Sequence, residues 1–227
     1  MVFYDWTYLL IIPGLILGIW AQSKVKSTYA EYSRVPTRLG RSAAAVEDDL
    51  LRRNGNNKVR IGRVSGELTD HYNPGNETLN LSGGVYASNS VAALGIAAHE
   101  AGHAMQKHDG YAPLKLRTAI VPAVNICSGL STPLFFLGLL MSWEPLLTLG
   151  IILFAASTVF ALVTLPVEFN ASNRAVAMLT EGGYVNGEEE RGVRKVLQAA
   201  ALTYVASAVT SLLSLLRLVM IANRRRD

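Results

Sequence analysis

The sequence predicts a mainly α-helical membrane protein with a small β-sheet. Three observations predict it. Half of the 227 residues are apolar, and the mean hydropathy is +0.26. The apolar residues are clumped into four blocks, at 8–21, 118–141, 146–167 and 199–216. Between the first two lies a polar stretch whose residues 58–82 alternate like short strands.

Each block approaches or exceeds the ~20 residues that cross a hydrocarbon layer as a helix. Four such blocks in so short a chain exceed what the polar remainder can bury. Residues 1–23 are therefore expected to form a transmembrane anchor. Asp5 precedes the first block and no Lys or Arg does, while Lys24 and Lys26 follow it. That is not the pattern of a cleaved signal, so the block reads as an anchor that stays.

Residues 24–117 form the polar domain. Ser42 caps a helix expected over 43–54, with Val46, Leu50 and Leu51 on one face and Gly55 ending it. A strand is expected over 58–64. Residues 68–72 then meet Asn73-Pro74-Gly75-Asn76, a turn signal, and 78–82 alternates again. This is a hairpin-based sheet. It leads into a helix capped by Ser88 or Ser90.

Residues 118–167 form a transmembrane hairpin, turned by Ser142-Trp143-Glu144-Pro145. An even number of crossings returns the chain to its starting face. Residues 168–197 should then lie beside the polar domain. Residues 198–227 form a last transmembrane or interfacial helix with a basic tail, Arg224 to Arg226. Along it Thr203, Ser207, Thr210, Ser214 and Arg217 make a stripe suited to close helix packing. If that helix crosses, its arginines run against the positive-inside trend.

The net charge of +4 does not point to nucleic acid, because no basic-aromatic pattern accompanies it. Thirteen of the 21 Lys and Arg fall between Lys24 and Arg117, which marks the polar domain as cytoplasmic. The spans hold almost no ionisable residues to line a transport path. The single cysteine, Cys127, allows no intramolecular disulfide.

His99-Glu100-Ala101-Gly102-His103 spells H-E-x-x-H at the end of a helical run. Residues four apart share a helix face, so both imidazoles reach one metal ion. Glu100 lies one position round, where it can take a proton from a metal-bound water. The alternative, two histidines on a polar surface helix, carries no further support along the chain. A chance match in a chain this long is on the order of one in a hundred to one in a thousand.

Catalytic zinc takes three protein ligands. The extended pattern that adds a glycine and a third histidine fails here, since Gln106 and Asp109 occupy those places. Asp109 is one candidate. Glu168 is the better one: it follows Pro166, and the hairpin returns it to the face of His103. An unpaired carboxylate beside an apolar span is costly without a partner. The partner is either a metal or Arg174.

The chain resembles the YugP-type membrane zinc metallopeptidases, distant relatives of the HtpX and CAAX-protease group of gluzincins. The resemblance spans nearly the whole chain. It rests on residues 32–36, 68–74, 90–104, 165–169 and 199–204. It implies a zincin-like H-E-x-x-H catalytic domain, one zinc ion on His99, His103 and Glu168, and Glu100 as the catalytic residue. It also implies an integral protein of the bacterial cytoplasmic membrane. One departure stands out. Gluzincins often carry E-x-x-A-D, but Glu168-Phe169-Asn170-Ala171 is followed here by Ser172. Support for the ligands must then come from elsewhere, with Asn170 and Asn173 as candidates.

The expected activity is peptide hydrolysis, acting on peptides or membrane proteins at the lipid bilayer. A strand edge over 79–86, through Leu79, Leu81, Val85 and Tyr86, would pair with an extended substrate. His71, Tyr72, Arg174 and Tyr184 are candidate oxyanion donors. The competing expectation is a membrane scaffold or regulator that keeps the metal without turnover.

Overall fold

In the computed structural model residues 6–224 are described; Asp5, Arg225 and Arg226 lie outside them. After a 3₁₀ turn (Trp6–Leu10), the elements run α1 (Ile12–Tyr32), α2 (Ala43–Arg53), β1 (Arg60–Val64), β2 (His71–Asn73), β3 (Thr78–Ser82), α3 (Gly83–Tyr86), α4 (Val91–His108), α5 (Ala112–Leu140), α6 (Glu144–Glu181) and α7 (Gly187–Asn223). They divide into two compact units. One takes residues 1–22, 115–166 and 202–227, and the other takes 23–114 and 167–201.

The first unit is built from the apolar lengths of α1, α5, α6 and α7. Four helical segments are long and apolar enough to cross a membrane: Trp6–Tyr32, Ala112–Leu140, Glu144–Glu181 and Gly187–Asn223. Their most apolar windows are only 11–22% buried within the protein. So much exposed apolar surface calls for lipid rather than water.

Two helices run further than their sequence suggests. The expected hairpin ends at 167, just past Pro166, yet α6 is one 38-residue helix with Pro166 inside it. Proline removes one N–H, but a break in apolar surroundings would strand several backbone groups, so continuing the helix costs less. The helix α7 begins at Gly187 rather than at 198. The Asn186 side chain accepts hydrogen bonds from the backbone N–H groups of Glu188 and Glu189, both at 2.9 Å. Three glutamates then fill the first turn, where the helix dipole favours them.

The hydroxyl stripe on α7 packs closely against α1 at Thr210. A Cβ on Gly14 would lie 2.7 Å from Thr210 Oγ1, so glycine is what lets α1 approach there. Elsewhere Thr203, Ser207 and Ser214 line a cavity of about 450 Å³ together with Gly18 and Gln22.

The second unit holds the sheet and the H-E-x-x-H helix. Ser42 Oγ accepts from Ala45 N–H and starts α2, whose Val46, Leu50 and Leu51 are buried. Ser90, of the two candidates, caps α4 by accepting from Ala93 N–H at 3.2 Å. The sheet order is β1-β3-β2, with β1 parallel and β2 antiparallel to β3.

That order corrects the expected edge strand. β3 is central, with a neighbour on each side, and it stops at Ser82, after which Gly83–Tyr86 is the helical turn α3. Leu79, Leu81 and Val85 are fully buried in the core, and Tyr86 lies under the Arg63 guanidinium at 4.2 Å. The apolar alternation of 78–82 records a strand covered on one face, and alternation carries no information about edges.

One core residue is unexpected. Glu47, on α2, has no exposed surface, and neither of its carboxylate oxygens has a hydrogen-bond partner. Burial, reinforced by the charge of Glu100, pushes its pKa well above the usual carboxylate range. Because the folded value lies above the unfolded one, its contribution is intact below the ordinary Glu range and is lost as pH rises through the raised value. Glu47→Met removes a buried orphan without loss of volume. It is expected to stabilise the protein by about 1–3 kcal/mol and to flatten the alkaline side of its pH–stability curve, read by thermal unfolding in detergent.

Candidate metal centre

The site is assembled from two helices of the second unit. His99 and His103, one turn apart on α4, bring their ring centroids to 4.8 Å at an interplanar angle of 83°. Glu168 on α6 is 2% exposed. Its Oε2 lies 3.2 Å from His99 Nε2 and 3.5 Å from His103 Nε2. One ligand atom from each of the three residues lies within 4.8 Å of the others.

The approach of α6 depends on Gly102, between the two histidines. A Cβ there would sit 3.0 Å from the carbonyl carbon of Ala171 and 3.1 Å from its Cα, and closer still to its oxygen. With Ala98, Ala101 and Ala171 also fully buried, the backbones nearly touch. Only that proximity lets a short glutamate side chain reach both rings.

The outer nitrogens of the rings are engaged. His103 Nδ1 lies 3.0 Å from Gln106 Oε1, and Gln106 Nε2 donates to Val167 O at 2.8 Å and to Asn170 Oδ1 at 3.0 Å. His99 Nδ1 lies 3.1 Å from Ser172 Oγ. With Nδ1 held outward, each Nε2 faces Glu168. Two imidazole nitrogens and one carboxylate oxygen are the donor set of a catalytic zinc site, so the residues present fit that ion.

Electrostatics agree with that fit. Burial alone would lower the pKa of His103, but the hydrogen bond to Glu168 and the charges of Glu100 and Glu168 outweigh it and raise the value. Glu100 is raised as well, chiefly by burial, with His99 and His103 opposing. Its Oε2 accepts from Tyr72 N–H on β2 at 2.8 Å, which fixes the carboxylate beside the rings.

Several expected roles are not met. Asp109 caps the end of α4 and pairs with Arg174, whose Nε also donates to Asn170 Oδ1 at 2.9 Å. Asp109 is thus drawn to Arg174 and is not one of the three converging ligand groups. Tyr184 is buried with its hydroxyl on Asp49 at 2.8 Å, and its pKa is pushed up to about 12. His71 is exposed and bridges Thr69 O and the Asn80 side chain. Tyr72 meets Glu100 through its backbone, while burial and Glu77 push its phenol to about 12. Asn173 is exposed. Ser172, read as the place where a carboxylate is missing, itself meets His99. Gln106, read as a failed glycine, meets His103. Only their spacing from the ligands (three residues after His103, four after Glu168) signals either role in the sequence.

A family model described as "Putative neutral zinc metallopeptidase" matches residues 7–223. The chain belongs to this family. A protein from Bacillus subtilis (strain 168), the "Putative membrane protease YugP", is 48% identical over 218 residues, covering 96% of this chain and 97% of that one. No solved structure matches the chain. The family description names zinc, and the three-residue cluster on α4 and α6 is a group that could hold a metal ion.

Proposed function

We propose that this chain is a membrane zinc metallopeptidase of the gluzincin kind, holding one zinc on His99, His103 and Glu168 and using Glu100 as general base. The observation that carries the reading is the convergence of three buried or half-buried ligand atoms beside a fourth, tethered carboxylate. Held by these three residues, zinc would supply the Lewis acidity that activates a water and polarises a peptide carbonyl. Glu100 Oε2 is committed to Tyr72 N–H, so Oε1 takes the proton from the attacking water and returns it to the leaving amine.

The substrate strand is assigned to β2. Tyr72 N–H donates to Glu100 and not to β3, so that side of β2 faces the catalytic carboxylate. Among the described residues no strand pairs with it there. A peptide lying beside that side of β2 would come up against Glu100, which already holds the Tyr72 N–H. The excess of Lys and Arg in the polar segment favours the cytoplasmic face. Substrates are then peptides or flexible segments of membrane proteins close to the bilayer.

The test uses the purified full chain in detergent and an unfolded model protein. Cleavage is expected, is expected to stop with a zinc chelator, and is expected to return with added zinc. Cleavage indifferent to the chelator, or none by zinc-loaded protein, refutes the proposal. The second of these outcomes favours a metal-binding scaffold.

A further inference from the structure

We propose that Gln106 is a positioning residue for the metal centre, linking the ligand His103 through Asn170 to the Arg174–Asp109 ion pair by a relay of neutral amides. The inference rests on the zinc reading above and adds what holds the ligands and with what charge.

The direction of every bond in the relay follows from two ends that cannot change roles. Val167 O is a carbonyl and can only accept, so the nitrogen of the Gln106 amide faces it. Gln106 Oε1 therefore faces His103, and Nδ1 of that ring must carry the proton. Nε2 is then the nitrogen turned to Glu168, and it is the one that would offer a lone pair to a bound ion. At the other end the Arg174 guanidinium can only donate, so Asn170 presents Oδ1, and this oxygen also receives Gln106 Nε2. Arg174 closes the relay on Asp109. His99 lacks this certainty, because a serine hydroxyl donates or accepts.

Gln106 is fully buried, and it ties the two helices that bear the ligands. Ligand histidines are commonly supported by a carboxylate, which adds negative charge to the centre. Here both supporting groups, Gln106 and Ser172, are uncharged. The relay fixes geometry and tautomer without that charge, and it ends on an ion pair. Asn170 is the point at which one isosteric change adds the charge.

Zinc affinity of the full chain in detergent, measured by competition with a chromogenic chelator, tests this without reference to turnover. Gln106→Met keeps the volume and removes all three bonds. Affinity is expected to fall about 10–100-fold with the helical circular dichroism retained. Asn170→Asp is expected to tighten zinc several-fold. Asn173→Asp, the same charge on the exposed side of α6 and off the relay, is expected to change nothing. In the Gln106→Met background, Asn170→Asp is expected to lose its gain. Wild-type affinity in Gln106→Met overturns the proposal. So does a gain from Asn170→Asp that survives without Gln106 or that Asn173→Asp equals. Should Gln106→Met not fold, the two aspartate variants decide. A wild-type chain that takes up no zinc refutes the zinc reading itself.

Discussion

Glu100→Gln is expected to lower peptide hydrolysis about a thousandfold, within the 10²–10⁴ range that a positioned acid–base group contributes, and to leave zinc bound. The amide keeps the size of the carboxylate, and its oxygen still accepts from Tyr72 N–H. It cannot take a proton from water. Because Glu100 points to β2 and is not among the three converging ligands, metal content should stay at the wild-type level. Measuring turnover and bound zinc on the same sample separates the two roles. Proteolysis retained by purified Glu100→Gln defeats the general-base assignment. Loss of zinc with loss of activity means that Glu100 holds metal instead.

Gly102→Ala is expected to be the most damaging small substitution in the second unit. A helical Gly→Ala change ordinarily stabilises by about 0.5–1 kcal/mol. Here the new methyl meets the Ala171 backbone, which has no rotamer to give way. Overpacking of this kind costs about 2–3 kcal/mol, and relief comes only by moving α6 off α4. Glu168 rides on α6, so zinc affinity should drop more than tenfold along with the thermal midpoint. Gly129→Ala on α5, where a Cβ meets nothing within 4 Å, is the control and should be near neutral. Equal behaviour of the two variants would show that the helix contact does not set the ligand geometry.

The contrast between those glycines shows what the sequence makes legible. The four apolar spans, the Ser42 cap and the 78–82 strand follow from composition and period, and the structure has them. His99 and His103 share a face because four residues make one turn. Glu168 is reachable by counting membrane crossings. What lies between these features is not local. Nothing in residues 99–103 says that Gly102 will meet Ala171, 69 positions on. Gln106 and Ser172 look like departures from a motif until the neighbouring helix shows what each touches. The place of β3 at the sheet centre depends on β1 returning in parallel, which alternation does not encode. The run of α6 through Pro166 is not legible, because proline's local cost is visible in sequence and the cost of a break in an apolar setting is not. Glu47 in the core follows no rule of pattern at all.

The most direct test of the metal centre is the zinc content of the purified full chain, wild type beside Glu168→Ala, by elemental analysis after dialysis against a weak chelator. About one zinc per wild-type chain is expected, from the three-ligand count. Glu168→Ala should retain little or none, with its helical circular dichroism preserved. A Glu168→Ala protein that keeps a full equivalent of zinc would contradict the account, because the carboxylate that α6 brings to the two imidazoles would then not be a ligand.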